Sequence, residues 1–141
     1  MSQQTVDVLN QLIHFCYDAM KGYEDAAHAV RTDALNIWLA ERVKTRRSAA
    51  EDLVREVERL GGTPLSEAAV NAGFFASLKT VVTDGWDAAL AEVERCEAQL
   101  IEEFTKALQL DIDGGSKDVV RTLLDHFTAD QARVSRFSSA A

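Results

Sequence analysis

Two acids one helical turn apart are the residues in this chain best placed to do chemistry. Glu94 and Glu97 lie in the stretch WDAALAEVERCEAQLIEEFTKAL, from Trp86 to Leu108. Around them Trp86, Leu90, Val93, Leu100 and Phe104 recur in steps of four and three, the seam of a helix that packs on other helices. Glu97 occupies a position where that rhythm calls for an apolar side chain. A carboxylate there must be paired with a base, bound to a metal, or set at the wet edge of the seam.

The metal reading is the sharper one. A carboxylate-bridged di-iron or di-manganese centre in a bundle takes one Glu from each of two helices and a Glu-x-x-His from each of the other two, because that spacing puts both ligands on one face. Glu24 could serve from the first helix, Glu94 or Glu97 from the third, and His126 or Asp130 from the last. No Glu-x-x-His occurs, and the middle of the second helix reads KTRRSAAED, with Arg46 near the ligand position. A cation there repels a metal and suits a carboxylate. The preferred expectation is an interior acid–base layer with no cofactor, in which Arg46 or Arg47 reaches Glu97 or Glu94 and Gln131 adds a hydrogen bond. Such a layer fixes register between helices more than it adds stability.

The other reactive side chains support less. Glu24 and His28 share a face at a spacing of four, which more often makes a surface hydrogen bond than a metal site. Cys16 and Cys96 fall on apolar faces and read as reduced core thiols. A small apolar ligand between the helices, against Met20, Cys16, Cys96 and Phe127, is a weaker option. Gly61-Gly62 and Gly114-Gly115 are helix punctuation; no phosphate-cradling loop or catalytic triad is seen.

Four long helices must position these residues. Val6, Leu9, Ile13, Cys16, Met20, Tyr23, Ala27 and Val30 mark the first, over about 5–31, with Asp18 off its seam. Thr32 or Asp33 reads as the cap of the second, over 33–60, whose seam runs Leu39, Val43, Arg46, Ala50, Leu53, Val57 and Leu60. Gly61, Gly62 and Pro64 stop it. The third spans 84–110. The fourth, over 116–138, is capped by Ser116 and carries Val120, Leu124, Phe127, Val134 and Phe137 on one side, before a frayed tail. Between the second and third, Ser66 caps a connector helix over about 66–82, in which adjacent Phe74 and Phe75 cannot both face inward. A crossover of that length lets the second and third helices run parallel, as in ferritin-like bundles. The fold class expected is all-α, a four-helix bundle with a helical crossover, in a single domain over 1–141.

Composition narrows the function classes. The 141 residues carry a net charge of −8, which disfavours nucleic acid and anionic membrane surfaces as partners. No apolar run is long enough to span a bilayer, and MSQQTVDVLNQL does not read as a secretion signal, so a cytoplasmic location is expected.

The stretches LNQLIHFCYDAMKGYEDAA, EVERLGGTP and LAEVERCEAQLIEEFTKAL together resemble an uncharacterised bacterial family of ferritin-like four-helix-bundle proteins, a domain of unknown function. The resemblance rests on Leu9-Asn10, Leu12-Ile13, Asp18 and Gly22-Tyr23-Glu24 with Ala26, and it covers most of the chain. It implies the fold and brings no activity. The function expected is therefore that of a non-enzymatic bundle, in a stress-related setting, that binds itself or another protein. The alternative is a metal-binding ferritin-like protein with degenerate ligands.

Overall fold

The computed structural model describes residues 2–30 and 33–140. Thr32, one of the two expected caps of the second helix, and Ala141 lie outside them, as do the side chains of 33 and 137–140. Among the described residues five α-helices run in chain order: α1 (Gln3–Ala29), α2 (Asp33–Arg59), α3 (Leu78–Val81), α4 (Trp86–Leu108) and α5 (Gly114–Ala140). Short 3-10 turns occupy Glu67–Ala69 and Val82–Asp84. The four long helices form an all-α bundle.

Their seams close one core. Leu9, Ile13, Cys16 and Met20 of α1 are fully buried, as are Leu39, Ala50, Leu53 and Val57 of α2, Val93 of α4 and Val120 of α5. Each buried Leu or Ile among them contributes roughly 1.5–3 kcal/mol. Phe104 and Phe127 meet edge to face at 4.9 Å between α4 and α5. The contacts also give the directions. Trp38 near the start of α2 meets Trp86 at the start of α4 edge to face, and Arg46 farther along α2 meets Glu97 farther along α4. So α2 and α4 run parallel. Ser116 at the start of α5 reaches Glu56 near the end of α2, which sets α5 antiparallel to both.

The second helix ends as its glycines dictate. Gly61 adopts φ +78°, where a side chain would be strained. Its N–H donates to Glu58 O at 2.9 Å, and that of Gly62 to Val57 O at 3.0 Å. The start of α5 departs from expectation. The helix begins at Gly114, two residues before Ser116, and Ser116 is no cap. Its buried hydroxyl donates instead to Glu56 Oε2 at 2.7 Å.

The connector is not one helix over 66–82. Ser66 does cap a turn, accepting from Ala68 N–H at 3.3 Å, but the chain over 70–77 is irregular. The cause is Asp18, which the heptad pattern places off the seam. It is buried, and its carboxylate accepts the N–H groups of Gly73, Phe74 and Phe75 at 2.9, 2.9 and 3.0 Å. N–H groups given to this anion are not available to the carbonyls four residues back, so no helix runs through 73–75 from Ser66. Gly22, one turn on, lets the connector press close: a Cβ there would lie 2.3 Å from Phe75 Cβ. Phe75 is buried and Phe74 stays half exposed, tilted against Phe15 at 5.3 Å.

Candidate functional site

Midway along the bundle, α1, α2, α4 and α5 each supply a side chain to one polar layer. Its centre is Glu97, 1% exposed. Glu97 Oε1 accepts from Tyr23 Oη at 2.5 Å, from Arg46 Nε at 3.0 Å and from Arg42 Nη2 at 3.1 Å. Asp130 closes the other side. Its Oδ2 accepts from Arg42 Nη2 at 2.7 Å and Arg46 Nη2 at 2.9 Å. The two guanidiniums therefore bridge the two carboxylates. Glu97 Oε2 and Arg42 Nε are buried without a protein hydrogen-bond partner.

Aromatic faces complete the enclosure. The Arg42 guanidinium lies 5.0 Å from the Tyr23 ring centroid and 4.9 Å from that of Trp38, and Arg46 lies 4.7 Å from Phe127. A weakly hydrated, planar cation tolerates such surroundings better than an ammonium would. The electrostatics follow from burial and pairing. Burial pushes the Asp130 carboxyl up, but the charges and hydrogen bonds of Arg42 and Arg46 outweigh it and hold the group below its ordinary value. Burial would lower the Arg42 guanidinium, and Tyr23, Glu97 and Asp130 raise it instead. Burial and the neighbouring Glu97 charge raise the Tyr23 phenol well above its usual range. Arg42, Arg46 and Asp130 thus keep their charges, beside a neutral tyrosine donor.

The residues singled out in the sequence divide sharply. Arg46, Glu97 and Asp130 come together. Arg47 does not join them: it lies on the outer side of α2 and pairs with Glu67 at 2.9 Å. It follows Arg46 directly, so the helix turns it about 100° away. Glu94 is part-buried and meets neither arginine; it accepts from Ser135 Oγ at 2.8 Å. Gln131 donates to the Glu94 backbone carbonyl at 2.7 Å, outside the layer. Glu24 and His126 are exposed on the surface. Cys16 and Cys96 are buried free thiols, and burial pushes them up to about 12 and about 11.

Arg42 and Tyr23 were not foreseen as members of the layer. Arg42 precedes Arg46 by four, the spacing that stacks two side chains on one helix face. That spacing was the available signal. Tyr23 reads as an ordinary seam residue, and only its hydroxyl distinguishes it from Phe.

The layer does not fit a di-metal centre. A divalent cation needs carboxylate and imidazole lone pairs converging on it. Here the converging lone pairs already face two guanidiniums, which would have to leave first. Among the described residues, no three His, Cys, Asp or Glu side chains gather as a metal-binding group.

Residues 4–110 match the family described as a domain of unknown function, DUF2383. No curated protein matches the chain. Two solved structures are similar in fold. One is a ferritin-like, diiron-carboxylate protein from Bacillus anthracis, 16% identical, with a TM-score of 0.74 over 98% of this chain and 99% of its own. The other is a conserved hypothetical protein from Mycobacterium tuberculosis, 14% identical, with a TM-score of 0.70 over 97% of this chain and 99% of its own. At such identities they speak for the fold alone. With three quarters of its length matched, this ferritin-like bundle belongs to the uncharacterised DUF2383 family.

Proposed function

We propose that this protein is a non-enzymatic bundle that works without a di-metal centre and associates with a second copy of itself. The observation that carries the reading is the end of the bundle where α2 and α4 begin. Ile37 is 66% exposed there and Trp86 41%, and Trp86 meets Trp38 edge to face at 5.7 Å. Ile37 and Trp86 stand at the same end of the bundle, and large apolar side chains left open together at one end favour a contact there. Behind them, the interior that would host chemistry in a metalloenzyme is filled by Arg42 and Arg46. No helix among the described residues is long and apolar enough to cross a membrane. The reading sets the protein in the bacterial cytoplasm, in a stress-related role.

Sedimentation velocity tests it, run on the wild-type chain and on Ile37→Glu. The wild type sediments as a dimer or larger species and the variant shifts toward monomer. A wild-type monomer across the micromolar range overturns self-association. Metal analysis of protein purified without chelator tests the other half, and near-stoichiometric iron or manganese that disappears in Glu97→Ala overturns it.

A further inference from the structure

The interior layer is not electrically closed on its α5 side. Asp130 receives a third guanidinium: Arg133 Nη2 stands 3.6 Å from its Oδ1. Three guanidiniums, from Arg42, Arg46 and Arg133, thus share the two carboxylates of Glu97 and Asp130. In a chain of net charge −8, this spot carries an excess positive charge.

That excess faces a cavity. Between α2 and α5 lies a cleft of about 340 Å³ whose walls include Arg46, Asp130, Arg133, His126 and Ser48. Arg46 is only 3% exposed yet lines the cleft, so a buried cation is reachable from it. The floor is apolar, made by Ala49, Leu123 and Phe127, all buried. Toward the far end of α2 a second cavity of about 470 Å³ shares Leu123 and Asp52 with the first and adds Val119. Asp52, the other acid in the cleft wall, is already paired with Arg55. Arg46 and Arg133 stand in the first cavity only; the second keeps an apolar strip of Leu123 and Val119 between the paired charges of Asp52, Arg55, Glu56 and Arg59, with Asp118 at its wall.

We infer that the α2–α5 cleft binds a small amphiphilic carboxylate, its anionic head against Arg46, Arg133 and His126 and its hydrocarbon tail along Leu123 toward Val119. The head neutralises the surplus charge. Of its partners Arg46 is desolvated, which strengthens that pairing over one at an open surface, while Arg133 and His126 meet it from the exposed rim. The tail removes apolar floor from water. An inorganic anion of equal charge gains the first effect and not the second.

Calorimetric titration of the full chain with acetate, octanoate and inorganic phosphate tests this. Octanoate binds saturably at one per chain, on the order of tenfold or more tighter than acetate because of its buried methylenes. Phosphate binds no tighter than acetate. Arg133→Gln weakens octanoate by about two- to fivefold, the worth of one partly exposed charge. Ser48→Trp, which fills the cleft from its rim, abolishes octanoate binding. Thermal melts of both variants without ligand check that the fold is kept. Failure of octanoate to saturate overturns the inference, as does binding indifferent to chain length. Octanoate binding unchanged in both variants overturns it too, since the acid then sits elsewhere.

Discussion

Arg46 and Glu97 are separated by 51 positions in the chain and stand 2.9 Å apart in the bundle, both almost wholly buried. Neither charge has water to fall back on. Removing the carboxylate in Glu97→Ala leaves two buried guanidiniums with Asp130 alone, and should cost roughly 3–5 kcal/mol. Urea unfolding of the variant measures it. Replacing Arg42, Arg46, Glu97 and Asp130 together with apolar residues of similar volume should recover most of the loss, because the desolvation cost leaves with the charges.

Arg47 gives the contrasting case. Its partner Glu67 is as exposed as it is, so Arg47→Ala should cost less than about 1 kcal/mol. A melt of Arg47→Ala as severe as that of Arg46→Ala would show that the two adjacent arginines are not divided between surface and interior.

Asp18 should hold the crossover in place. Asp18→Ala leaves the N–H groups of Gly73, Phe74 and Phe75 without their acceptor, at a cost of roughly 1–3 kcal/mol. The local readout is hydrogen exchange: protection at those three amides should collapse while amides in the middle of α4 stay protected.

Acid should weaken the fold partly through Asp130. Its folded-state pKa lies below the ordinary 3.8, so the unfolded chain binds the proton more readily. The stabilisation is present above that value and drains away as pH falls through the lowered one. Below pH of about 4, Asp130→Asn should show a shallower loss of stability than the wild type, by up to about 1.4 kcal/mol per pH unit for the missing proton. Urea midpoints between pH 2 and pH 5, bracketing the ordinary carboxylate value of about 4, provide the comparison.

Neither cysteine should behave as a reactive thiol. Burial pushes Cys16 up to about 12, and Arg46 draws it back only in part; burial also lifts Cys96 to about 11, against the pull of Arg95. Thiolate is scarce in both at neutral pH. Ellman's reagent should label neither in native protein within minutes and both at once in urea.

The long helices were legible because heptads such as Leu9, Ile13, Cys16, Met20 in α1 report which face is buried, whatever covers it. Gly61-Gly62 announced their stop through local backbone chemistry. The connector was hidden for the opposite reason. Its shape is set by Asp18, 55 residues away from Gly73, and no window of sequence contains both. The interior layer fell between these cases. Glu97 betrayed itself by breaking the seam, and Arg46 by standing where a ligand would. Arg47 and Glu94 carry the same charges as Arg46 and Glu97 yet lie outside the layer, because charge type alone does not say which way a side chain turns. Arg42 signals its membership only through its place one turn from Arg46 on the same face.

The indole pair has a practical consequence. Trp38 and Trp86 are the chain's two tryptophans, they touch each other, and the Arg42 guanidinium lies against one of them. Intrinsic emission therefore watches one pole of the molecule and is blind to the other, where Ser116 meets Glu56. If loosening begins at that distant pole, circular dichroism will fall before the fluorescence changes, and the lag between the two signals becomes a ruler for where unravelling starts.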